Sequence, residues 1–67
     1  MRYMIIEDVT NRKYLHLDIR WRISWVKDKR DATLLENNKF YFDWLVKKGL
    51  TTYNYIWHRC DNRGNFI

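Results

Sequence analysis

From Tyr14 to Trp25 the chain alternates without a break. Leu15, Leu17, Ile19, Trp21, Ile23 and Trp25 stand at one parity, and Tyr14, His16, Asp18, Arg20, Arg22 and Ser24 at the other. A period of two over such a run is the pattern of a strand with one buried face, because successive side chains of an extended backbone leave opposite sides of a sheet. The run is about twice the usual five or six residues of a strand, so a bend or bulge is expected near Trp21 to Ser24, with the two halves free to take different neighbours.

The segment before it, Arg2 to Asp8, also has strand character and ends in the polar stretch Asp8-Val9-Thr10-Asn11-Arg12-Lys13, where Asn11 tolerates the left-handed backbone of a tight turn. Any even-length turn there places Met4 and Ile6 on the same face as Leu15 and Leu17. Beyond the charged connection Lys27-Asp28-Lys29-Arg30-Asp31, helix signals appear. Asp31 or Thr33 can cap a first turn, Asn37 or Asn38 a second segment, and Gly49 follows Lys47 and Lys48, which suit the negative end of the helix dipole. Leu50 to Cys60 returns to strand character, and Asp61-Asn62-Arg63-Gly64-Asn65 reads as a turn that leaves Phe66 and Ile67 as a clasp or a frayed end.

These segments predict one domain over residues 1–67 of class α+β. It is a small antiparallel sheet with strands over about residues 2–8, 14–26 and 51–60, packed by one helix over about 33–48, in the order β-β-α-β. A chain of 67 residues with a single cysteine has no internal disulfide to stabilise it, and a domain this small buries only about 60% of the surface its unfolded chain exposes. No apolar run approaches the roughly 18–20 residues of a membrane span, and the first residues lack the apolar segment of a signal peptide, so the expected location is the cytoplasm, with no membrane partner.

The net charge of +5 invites a polyanion reading. Its distribution weakens that reading, since none of the segments 1–26, 27–36, 37–49 and 50–67 carries an excess above two positive charges, and the densest stretch, Lys27 to Asp31, alternates in sign like a solvated surface. Aromatic residues, at 18% with four Trp and five Tyr, are the stronger clue in a chain with so little interior. On a helical wheel Tyr41, Phe42, Leu45 and Val46 form an arc toward the sheet, whereas Phe40, Trp44 and Lys48 lie on a second line beside Lys47. An aromatic pair flanked by lysines can anchor in a protein groove or stack on bases. It can also be ordinary core, wrapped against the sheet edge. Arg20 and Arg22, about 7 Å apart on one side of an extended strand, can meet carboxylates or successive phosphates.

Other chemistry is poorly supported. His58 and Cys60 share a side of a strand, yet a structural zinc site needs four ligands and a Cys–His catalyst needs an orienting group and an oxyanion hole, and no motif marks either. There is no phosphate-binding glycine loop and no dinucleotide fingerprint, and a pocket of even about 300 Å³ is hard to build at this size. Neither catalytic nor metal-binding residues are assigned, and no cofactor is expected.

The expected function is that of a small non-enzymatic binding protein that docks on a larger protein or nucleoprotein complex and blocks or redirects it, through Phe40, Trp44, Lys47, Lys48, Arg20 and Arg22. The abundance of Asn, Ile, Lys, Tyr, Phe and Met, all with AT-rich codons, associates such a chain with phages and mobile elements. Direct nucleic-acid binding through the same aromatic and basic surface is the alternative, and a homodimer that completes its core across the helix or a free strand edge is a third reading.

Overall fold

The computed structural model describes residues 2–67. Five strands, a single 3-10 turn and one helix follow in the order β1 (Tyr3–Asp8), β2 (Lys13–Leu17), β3 (Ile23–Val26), the 3-10 turn (Lys29–Asp31), β4 (Leu35–Glu36), α1 (Lys39–Lys47) and β5 (Ile56–Cys60). The class is α+β with a small antiparallel sheet, as expected. The order β-β-α-β is not, because the helix follows four strands.

Three local events account for the difference. The strand expected over 14–26 divides at Asp18 to Arg22 into a hairpin whose arms pair with each other from Tyr14↔Val26 to Leu17↔Ile23. Leu15 stays opposite Trp25 and Leu17 opposite Ile23, so the alternation survives in both arms. The helix expected from residue 33 begins at Lys39, since Leu35–Glu36 pairs with β1 and the Asn38 side chain accepts a hydrogen bond from the Tyr41 amide as N-cap. The last strand begins at Ile56 and not at 51, because the Asn54 and Tyr55 amides both donate to the Thr51 carbonyl in a turn.

The central strand is β1. On one edge it pairs with β5 from Tyr3↔Cys60 to Glu7↔Ile56. On the other it meets β2 only at Glu7↔Tyr14 and Asp8↔Lys13, and β4 only at Tyr3↔Glu36 and Met4↔Leu35. β1 and β2 therefore diverge, and the segment before α1 fills the wedge. The Thr33 amide donates to the Leu15 carbonyl at 2.9 Å, and the Leu17 amide donates to Thr33 Oγ1 at 2.7 Å, which satisfies backbone groups that the divergence would leave open. The β1–β2 turn takes its left-handed residue at Arg12, with φ 52°, while Asn11 instead donates through Nδ2 to the Asp8 carboxylate at 2.7 Å.

Met4, Ile6, Leu15, Leu35, Leu45 and Leu50 form the main core, with Trp44 and Trp57 packed against it. The helix ends where Gly49 takes φ +77°, with the Gly49 amide bonded to the Val46 carbonyl and the Leu50 amide to the Leu45 carbonyl. This double bond pattern satisfies the last carbonyls and places Leu50 beside Leu45. The opposite face of β1 is covered as well: Ile5 and Cys60 are buried. Past β5 the chain turns back, so that Phe66 bridges Cys60 and the Ile67 amide donates to the Arg59 carbonyl at 3.0 Å, making the tail an ordered clasp on the outer edge of β5. Among the described residues no helix is long and apolar enough to cross a membrane.

Candidate partner-binding surface

The division of the long alternating run creates the site. Trp21 donates its amide to the Asp18 carbonyl at 3.0 Å and Asp18 donates to the Arg22 carbonyl at 3.3 Å, which encloses a three-residue loop, Ile19-Arg20-Trp21. In such loops a type I turn is followed by one residue in the left-handed region, a place that suits glycine. Here that residue is Trp21, with φ 62°. The Asp18 carboxylate locks the loop by accepting from the Arg20 amide at 2.8 Å, the Arg22 amide at 3.0 Å and Arg22 Nε at 2.7 Å. The bond from the Arg22 amide, together with the Arg22 side chain and the Arg20 amide, holds the Asp18 carboxyl below its ordinary 3.8.

The left-handed turn lays the Trp21 indole over the helix. Its ring stacks on Tyr41 with centroids 5.6 Å apart and meets Trp44 edge-on at 5.8 Å, while Phe40 meets Tyr41 edge-on at 5.2 Å. Loop and helix thus present one aromatic surface. Ile19 stands at its tip, 97% exposed, with Phe40 at 65% and Trp21 at 45%. A recess of about 260 Å³ opens between Ile19, Trp21, Leu34 and Tyr41, and a second of about 280 Å³ between Phe40, Asp43, Trp44 and Lys47. Lys48 Nζ lies 6.0 Å from the Trp44 ring centroid.

Of the six residues expected to bind a partner, Phe40, Lys47 and Lys48 are exposed on or just beyond the helix. Trp44 is only half-buried, since its inner side packs on the core. Arg20 and Arg22 do not project side by side from a strand face, because both belong to the hairpin turn. Arg22 is tied to Asp18, which leaves Arg20 as the loop cation that forms no ion pair among the described residues. Phe42 and Val46, expected to face the sheet, are 50% and 45% exposed, and Phe42 meets Trp57 edge-on at 5.0 Å.

Sequence reasoning assigned Ile19 and Trp21 to the apolar face of a strand and so missed the two residues that complete the surface. The signal was Asp18. Aspartate is depleted inside strands and favoured at the first position of a type I turn, and it stands midway through a run twice the ordinary strand length.

His58 and Cys60 take no part in this surface. His58 Nε2 meets the Glu7 carboxylate at 2.6 Å, and its ring stacks on Phe66 with centroids 4.1 Å apart. Cys60 is fully buried, burial raises its thiol above the ordinary 9.0, and Sγ donates to the His58 carbonyl at 3.4 Å. Among the described residues no three His, Cys, Asp or Glu side chains gather as a metal site. Compared with known protein families, characterised proteins and solved structures, the chain matches none.

Proposed function

We propose that the chain is a small non-enzymatic binding protein that docks on a larger protein or nucleoprotein complex and blocks or redirects it, a modulator of the phage or mobile-element type. The observation that carries this reading is the Ile19–Trp21 loop, fixed by the Asp18 carboxylate against Tyr41 and Trp44 with its apolar tip held out in water. An exposed isoleucine on a rigid support loses little conformational entropy when a pocket closes over it, and tryptophan, tyrosine and arginine are the types most enriched at the energetic centres of interfaces.

Around this centre Arg20, Lys47 and Lys48 outnumber Asp43, while Asp18 is satisfied by Arg22. The partner surface that fits is apolar at its centre and acidic at its rim. A protein is favoured over bare nucleic acid because Ile19, the most exposed member, offers no stacking face, and one face of Trp21 is already taken by Tyr41. Direct nucleic-acid binding keeps the support of Phe40 beside Lys47 and Lys48.

Affinity capture from the source-cell lysate, with and without nuclease, tests the reading. A protein retained by the wild-type chain in both lysates and lost with Ile19→Ser or Phe40→Ser is the expected result. Retention that disappears with nuclease and falls steeply as salt rises would transfer the surface to a nucleic acid.

A further inference from the structure

A recess of about 370 Å³ lies on the opposite face of β1 from the helix, between the Lys29–Leu34 segment and the turn that follows β5. A cavity of even about 300 Å³ was not expected in so short a chain. It exists because the tail folds back along β5 and raises a second wall over Ile5, where a Cβ on Gly64 would lie 3.8 Å from Ile5 Cδ1.

Its walls are chemically divided. Ile5, Ala32 and Leu34 supply an apolar floor, while Lys29, Arg30 and Arg63 supply three cations at the rim, with no carboxylate among the lining residues. Two of the nearby acids are committed elsewhere, and the third, Asp31, stands beside Arg30 in the 3-10 turn and acts on its charge. Asp61 accepts from the Arg63 and Asn65 amides and from Asn65 Nδ2 within its own turn, and Asp28 takes one side of the Arg30 guanidinium. Lys29 and Arg63 form no ion pair among the described residues, and Lys29 Nζ rests 4.5 Å from the Phe66 ring centroid.

We propose that this cleft binds a nucleoside phosphate, its base against the half-buried Ala32 and Leu34 and its phosphate among Lys29, Arg63 and the free edge of Arg30. An apolar floor beside a concentrated cationic rim selects an anion that is apolar at one end. Guanidinium forks match phosphate oxygens, and the volume stands at the small end of ligand sites, the size of a mononucleotide and not of an oligomer. The cleft shares Leu34 with the recess beside Ile19 and Trp21, but its three cations belong to no part of the aromatic surface.

Titration calorimetry and thermal shift at low salt with adenosine monophosphate, and with adenosine and inorganic phosphate as separate arms, test it. Saturable binding of the nucleotide is expected, tighter than either fragment. It should weaken about tenfold in Lys29→Gln and in Arg63→Gln, remain unchanged in Lys13→Gln, and tighten in Asp28→Asn, which frees the Arg30 fork. Circular dichroism checks that each variant is folded, and the Asp28→Asn gain cannot arise from unfolding. Absence of saturation at millimolar nucleotide, equal affinity for inorganic phosphate, or equal weakening by Lys13→Gln would overturn the proposal.

Discussion

Trp21 carries the tightest link between backbone and surface. A non-glycine residue at φ 62° is disfavoured by about 1–2 kcal/mol, and the stack on Tyr41 with the edge contact to Trp44 offsets that cost. Two substitutions separate the effects. Trp21→Ala loses the aromatic contacts and keeps the strain, whereas Trp21→Gly loses the same contacts and relieves it. We therefore expect Trp21→Gly to be the more stable of the two by about 1 kcal/mol in urea denaturation, with both weakened in partner binding. Leu45, fully buried in the last turn of the helix, acts through the core instead. Leu45→Ala should cost about 2–5 kcal/mol, a large part of the roughly 3–10 kcal/mol available to a chain this short, and its thermal transition should be lowered or lost.

At the scale of elements, the β2–β3 hairpin is one of the parts whose stability depends on a titrating group. The carboxyl of Asp18 is depressed in the folded state, so its contribution is complete above the ordinary value of 3.8 and is lost as the pH falls through its lower folded value. Acid titration of thermal stability in the wild-type chain and in Asp18→Asn, which accepts hydrogen bonds without a charge, isolates this term from those of Asp28 and Asp61. The gap between the two proteins should be constant above pH 3.8 and narrow below it.

The elements also show how much was legible beforehand. Alternation placed Leu15, Leu17, Ile23 and Trp25 on one face, and they remain there; Asn38 and Gly49 act as the helix caps their types suggest. The break at Asp18 and the pairing of Leu35–Glu36 with β1 were illegible as periodicity, because a three-residue loop keeps parity on both sides and a two-residue strand has no period. The candidate site divided along the same line. Phe40, Lys47 and Lys48 follow from the wheel, but Ile19 and Trp21 join them only through a non-local fold of the loop onto α1.

For the whole molecule, the distribution of surfaces argues for a chain that works alone until it meets its partner. β1 is paired on both edges and the tail closes β5 at Arg59 and Cys60, so that beside the two-residue β4 and the first residues of β5 the longest open edge among the described strands is β3. That strand is four residues long and is followed at once by the charged Lys27 and Asp28, features that discourage edge-to-edge association. Light scattering at low micromolar concentration should therefore return the mass of one chain. A dimeric mass that persists on dilution would assign the aromatic face to a second copy.

In the proposed function the loop and helix together meet a protein. Site-specific photo-cross-linking in the source cells tests it most directly, with the cross-linker placed at Ile19, at Phe40, or at Tyr53, which is 92% exposed and outside the aromatic cluster. The prediction is one protein adduct, resistant to nuclease, formed from both Ile19 and Phe40 and absent from Tyr53. Adducts equal from all three positions, or adducts to nucleic acid alone, would contradict it.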